Sequence, residues 1–210
     1  VADPQYNSEQ IIELMEQGST RGVKVMAFPE LCLTAYTCSD LFLQESLLRE
    51  AKKELKRILQ ASKSKDMILF VGMPWMHKGK LYNVAAVLNR GRILGIVPKK
   101  HLPNYSEFYE LRHFNPGMEK VEMTDWEGVQ VPMGMNLLFA CRTMPELVLA
   151  AELCEDVWVP CPPSISHALA GATVIANCSA SDETTGKDQY RYNLICGQSA
   201  RLVCGYIYAN

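Results

Sequence analysis

Three residues suited to acyl chemistry stand directly behind short apolar runs in this chain. Val23 to Phe28 leads through Pro29 to Glu30, Ile93 to Val97 leads through Pro98 to Lys99, and Leu147 to Leu153 leads straight to Cys154. A thiol attacks an acyl carbon only as thiolate, so it needs a base or a positive field beside it. Glu30 could take that proton, protonate a departing amine and later deprotonate the water that opens the thioester. Lys99 could hold the developing oxyanion and lower the thiol pKa. Taken singly, each has a bland reading: Glu30 as a helix cap, Lys99 as a solvated neighbour of Lys100, Cys154 as one core thiol among 8 cysteines. Their shared placement favours one site, because open α/β sheets bind ligands beyond the carboxyl ends of their strands. None of His77, His101, His113 and His167, the usual type of partner for a cysteine nucleophile, follows a strand end as Glu30 does.

The elements that must position these residues are legible from apolar spacing. Asn7 with Gln10 reads as a capping box opening a helix that ends at Gly18. An amphipathic helix is expected over Ser46 to Ser62, with Leu47, Leu48, Ala51, Leu55, Ile58 and Leu59 on one stripe. Strands are expected at 23–28, 67–73, 82–88, 92–97, 136–141, 147–153, 173–177 and 205–208, with Asn89-Arg90-Gly91 as a hairpin turn. A short helix ends over Ala168 to Ala172, and another helix covers Tyr190 to Cys204. Strands alternating with helices, plus a hairpin, predict an α/β chain with a mixed sheet. No repeat or low-complexity linker interrupts residues 1–210, so a single domain is expected.

Composition narrows the function classes. With 48% hydrophobic and 21% charged residues, the chain is ordinary for a globular protein, and a net charge of −2 gives no footprint for nucleic acid or an anionic membrane. No apolar stretch reaches membrane-span length and no signal core is present. The cysteines form no C-x-x-C pair, which favours reduced thiols in a cytoplasmic protein over a metal site or disulfide framework. The chain starts at Val1 rather than Met, and Gly205 to Asn210 reads like mid-strand, so truncation at both ends is expected.

The wording of the segments adds a resemblance. Phe28-Pro29-Glu30-Leu31, Pro98-Lys99-Lys100-His101-Leu102-Pro103-Asn104-Tyr105 and Glu152-Leu153-Cys154-Glu155-Asp156-Val157-Trp158 are similar to the three signatures of the nitrilase (carbon–nitrogen hydrolase) superfamily. The stretches Leu33 to Phe42, Phe108-Tyr109-Glu110, Pro160 to Ser164 and Ala170 to Thr173 most resemble the glutaminase domains of glutamine-dependent NAD synthetases, and the likeness runs over essentially all 210 residues. It implies an α-β-β-α sandwich and a Glu30, Lys99, Cys154 triad, with Glu110 as a fourth carboxylate orienting Lys99 and water. It also implies that Tyr105 and Trp158 wall the pocket. Glu155 and Ser181 would hold the α-amino and carboxylate groups of L-glutamine, with Lys187 nearby where an Arg is usual. The implied partner is an NAD synthetase domain that receives ammonia, and a homo-oligomer is expected. ATP and Mg2+ would belong to that domain, because these residues contain neither a Ser-Gly-Gly-x-Asp-Ser string nor a Walker-type loop. No cofactor is expected in the chain itself. The alternatives are a free-standing amidase or nitrilase acting on another small carboxamide or nitrile, and a non-catalytic assembly domain.

Overall fold

Asp3, not Asn7, opens the first helix. Its side chain accepts from the Tyr6 amide at 3.0 Å, and Pro4 takes a first-turn position where its missing N–H is no loss. The computed structural model describes residues 1–210, and α1 covers Pro4–Thr20. α2 covers Glu45–Ser62 and buries Leu47, Ala51, Leu55, Ile58 and Leu59 of the stripe its spacing predicts, while Leu48 is half-buried. No helix is long and apolar enough to cross a membrane.

Ten strands follow in chain order: β1 Val25–Ala27, β2 Ile68–His77, β3 Lys80–Asn89, β4 Arg92–Pro98, β5 Glu122–Trp126, β6 Val129–Met133, β7 Leu138–Ala140, β8 Val148–Leu153, β9 Val174–Cys178 and β10 Gly205–Ala209. They build two sheets, not one, ordered β1-β2-β3-β4-β6-β5 and β10-β9-β8-β7. Both are mixed, with β8, β9 and β10 parallel and β7 antiparallel in the second. Arg90-Gly91 closes the β3–β4 hairpin with φ of 46° and 77°, and Lys78-Gly79 closes β2–β3 with 47° and 74°. Two successive positive φ values give a two-residue turn whose twist matches its strands.

Alternation along the strands separates the layers. Leu69, Val71 and Met73 of β2, with Val84, Ala86 and Leu88 of β3, pack against Met15 of α1 and Leu55 and Ile58 of α2. Their neighbours Phe70, Ala85 and Val87 face Leu149, Ala151, Leu153 and Ala176 of the second sheet. Ala150 and Ile175 point the other way, with Ala172 and Cys204, near α3 (Pro163–Leu169) and α4 (Lys187–Leu202). The result is the α-β-β-α sandwich. Burying a side chain such as Phe70 between the sheets stabilises by roughly 1.5–3 kcal/mol. β1 and β4 run the same way in the first sheet, so Glu30 and Lys99 emerge at one end of it, and Cys154 follows β8 of the second.

Candidate active site

Glu30 reaches its place because β2 carries a glycine beneath it. A Cβ on Gly72 would stand 2.4 Å from both Pro29 O and Leu31 N, so only glycine lets the Pro29–Leu31 backbone lie this close to the sheet. The Glu30 amide donates to Ser179 O at 3.0 Å, tying the first sheet's loop to the end of β9. Lys99 continues from β4, donating its amide to Asn83 O at 2.9 Å and accepting from the Gly117 amide at 2.7 Å. Glu110 lies in a 3-10 turn, Glu110–Arg112, whose Glu110 amide is held by Pro103 O at 3.1 Å.

The side chains converge on one ammonium. Lys99 Nζ lies 2.6 Å from Glu30 Oε1 and 2.7 Å from Glu110 Oε1. Lys99 is 0% exposed, Glu30 2%, Glu110 4% and Cys154 5%. Asn83 Nδ2 also donates to Glu30 Oε1, at 2.6 Å, and the Tyr36 hydroxyl donates to Glu110 Oε1 at 2.7 Å. Burial opposes the ammonium, yet Glu30, Cys154 and Glu110 outweigh it and hold Lys99 above its ordinary pKa. Burial and the charge of Glu30 lift Glu110, while Lys99 and Tyr36 pull it down. Three charges share the pocket, so removing one leaves another unpaired.

Cys154 begins a 3-10 turn, Cys154–Val157, directly after β8, with φ at 41°. Burial first, then Glu30, push its thiol up to about 12, against the pull of Lys99, the Ser179 hydroxyl and the Ala180 amide. Lys99 does favour the thiolate, as its charge predicts, but burial and Glu30 together prevail. Asp156 braces the site from behind, accepting from the Leu153, His101 and Lys100 amides at 3.0, 2.8 and 3.3 Å. One carboxylate thereby joins the Cys154 turn to the segment that carries Lys99.

The other sequence-predicted residues fall into three sets. Tyr105, 56% exposed, donates to Glu155 with both carboxylate oxygens at 3.0 Å, and burial raises the Glu155 pKa. Trp158 stacks on Tyr190 with ring centroids 5.6 Å apart and 11° between planes, and Lys187 Nζ lies 5.3 Å above the Trp158 ring. Lys187 also forms an ion pair with Asp182, so its charge is already engaged. Ser181 is held by Asn210 through its own backbone, the amide donating at 2.6 Å and the carbonyl accepting at 3.2 Å. Asn83, Tyr36, Ser179 and Asn177 also belong to the site; Ser179 directly follows β9, while Asn83, Tyr36 and Asn177 do not follow a strand end. Asn83 and Asn177 share one clue, a lone amide inside an apolar strand.

A family model for carbon–nitrogen hydrolase matches residues 1–210. The chain is 40% identical over 209 residues to a glutamine-dependent NAD(+) synthetase of Mycobacterium tuberculosis, covering 100% of this chain and 31% of that protein. The crystal structure of a glutamine-dependent NAD(+) synthetase from Cytophaga hutchinsonii superposes with a TM-score of 0.88 at 30% identity, covering 99% of this chain and 33% of that one. An amidase from Nesterenkonia sp. shares the fold, with a TM-score of 0.74 at 20% identity over 99% of this chain and 70% of that one. The chain thus spans about a third of the length of the synthetases it matches. Matched along its whole length and folded as their sandwich, the chain belongs to the carbon–nitrogen hydrolase family.

Proposed function

We propose that this chain hydrolyses the side-chain amide of L-glutamine through a thioester on Cys154 and supplies the ammonia to an NAD synthetase domain. The observation that carries the chemistry is the fully buried Lys99 clamped between Glu30 and Glu110. An ammonium so placed has little reason to exist for solubility, and suits an oxyanion forming beside it. Glu30 keeps its second oxygen, Oε2, buried without a hydrogen-bond partner. That lone pair is the natural acceptor for a proton from Cys154.

The steps balance with these groups alone. Cys154 Sγ bonds to the amide carbon as its proton passes to Glu30, and Lys99 holds the oxyanion. The C–N bond breaks as Glu30 returns the proton to nitrogen, releasing ammonia. Glu30 next takes a proton from water, whose oxygen attacks the thioester carbon. The C–S bond then breaks, the sulfur recovers the proton, and glutamate leaves. A thiol pushed up to about 12 needs this concerted base, because the free thiolate is scarce at neutral pH. Glu110, oriented by Tyr36, steadies Lys99. Tyr105, Glu155, Trp158, Ser181 and Lys187 are assigned to the substrate. The amino-acid end of glutamine brings one positive and one negative group that both need partners.

The names of the relatives support glutamine as the substrate and a synthetase as the recipient; ATP and Mg2+ are assigned to that recipient because residues 1–210 contain no phosphate-binding loop of the Ser-Gly-Gly-x-Asp-Ser or Walker type. A substrate panel tests the choice. Ammonia release should be fastest from glutamine and slow from acetamide, propionamide and asparagine. Equal rates across the panel would favour a general amidase. Given ATP, Mg2+, nicotinate adenine dinucleotide and glutamine, these residues alone should form no amidated dinucleotide, and its detection by mass would overturn the division of labour.

A further inference from the structure

Beneath Cys154 runs a buried chain of hydrogen bonds that the thioester steps do not use. β8 and β9 pair in parallel, with Glu152 beside Asn177 and Leu153 beside Cys178. At Cys154 the ladder gives way to a side chain, and the Cys154 amide donates to Asn177 Oδ1 at 3.0 Å. Asn177 Nδ2 donates to the Tyr206 hydroxyl at 3.1 Å, and that hydroxyl donates to Glu152 Oε1 at 2.5 Å. Glu152 Oε2 accepts the Ser164 amide of α3 at 2.8 Å. Ser164 Oγ in turn accepts from Gln198 of α4 at 2.8 Å.

The direction of this chain is set by donor chemistry. A backbone N–H can only donate, so Asn177 must present its oxygen to Cys154. Its NH2 must then donate to Tyr206, whose own proton is left for Glu152. A flipped amide would set two donors face to face and orphan both. Cys154 needs such a constraint, since its φ of 41° is a left-handed conformation that residues bearing a Cβ hold only where their surroundings impose it. Asn177 is 0% exposed in a strand otherwise built of Val174, Ile175, Ala176 and Cys178, where packing alone would favour an apolar residue.

We infer that Asn177 is a positioning residue for the nucleophile: its oxygen, oriented by Tyr206 and Glu152, holds the Cys154 backbone in the turn that presents the thiol to Glu30 and Lys99. The inference rests on Cys154 being the nucleophile. It also ties the seating of the thiol to the two helices behind the second sheet, through Ser164 and Gln198.

The test reads the thiol directly as well as through turnover. Asn177→Leu removes the acceptor, and Tyr206→Phe keeps Asn177 but leaves its amide free to turn. Iodoacetamide labelling of Cys154, followed by peptide mass, should slow in both folded variants, and kcat for glutamine should fall by about 100-fold in Asn177→Leu, the scale of a misplaced reacting group. KM should stay within about threefold, because no substrate contact is lost. Tyr206→Phe should lose less and shift in the same direction. If Asn177→Leu does not fold, Tyr206→Phe decides alone. Wild-type labelling rate and kcat in a folded variant would overturn the inference. Ammonia release by wild-type protein fully labelled at Cys154 would instead remove the nucleophile assignment, while the variants' labelling rates still judge the brace.

Discussion

Lys99 holds two carboxylates at 2.6 and 2.7 Å while itself fully buried. Replacing it with Met removes the cation aimed at the oxyanion, so glutamine turnover should drop about 100- to 1,000-fold while KM changes little. Lys100, one residue along, should tolerate the same change. A Lys99→Met protein whose KM rises with kcat intact would give Lys99 a substrate-holding role instead. Glu30→Gln should fail as well, since one carboxylate is asked to move every proton and an amide cannot accept and return them. Cys154 gives a pH prediction. Its thiol is pushed from 9.0 up to about 12, so the thiolate fraction climbs with pH through and beyond 9. Labelling of Cys154 by a neutral alkylating reagent without substrate should therefore still be rising at pH 10. A plateau near pH 8 would mean an activated thiolate and a different role for Glu30.

At the scale of elements, the site depends on how closely loops can approach sheets. Gly72→Ala puts a methyl group 2.4 Å from the backbone on either side of Glu30, and neither backbone atom can swing aside as a side chain would. Stability should fall by about 1–3 kcal/mol, the usual range for overpacking. Activity should fall with it, as Glu30 is carried away from Lys99; thermal melts and ammonia release on one preparation would read both. Strand-end placement made Glu30, Lys99 and Cys154 legible in the sequence, and β3, β4 and α2 fell close to their expected bounds, whereas β2 runs on from the expected residue 73 to His77. The β5–β6 hairpin was not legible. Glu122-Met123-Thr124-Asp125-Trp126 buries Thr124 and Trp126 but exposes Met123, so its apolar pattern points the wrong way. Asn83 and Asn177 stayed hidden because a buried amide inside an apolar strand is defined by partners far away in sequence. The start of α1 was misplaced because Asp3 caps it, a residue lying just before the apolar spacing begins.

Across the whole molecule, burial has lifted many thiols at once. Cys32 and Cys154 are each pushed up to about 12, and Cys38, Cys178 and Cys204 are also raised above 9.0, all by burial first. The unfolded chain loses these protons near pH 9 and the folded one only higher, so folding binds protons in that window. Stability is intact below pH 9 and declines as pH rises from 9 towards 12. The thermal midpoint should be flat from pH 7 to 8.5 and fall steadily above 9. A midpoint unchanged at pH 10.5 would mean the thiols are better solvated than their burial indicates. The two-sheet architecture explains why apolar strands looked continuous in the sequence: one face meets helices and the other meets the second sheet, so both must be apolar.

The proposed reaction carries glutamine covalently on Cys154. Acid quenching during steady-state turnover of glutamine, followed by peptide mass analysis, should reveal a γ-glutamyl adduct on the Cys154 peptide alone. Cys154→Ala should show no adduct and no ammonia release while keeping the wild-type circular dichroism. A folded Cys154→Ala protein that still releases ammonia from glutamine would rule out Cys154 as the nucleophile.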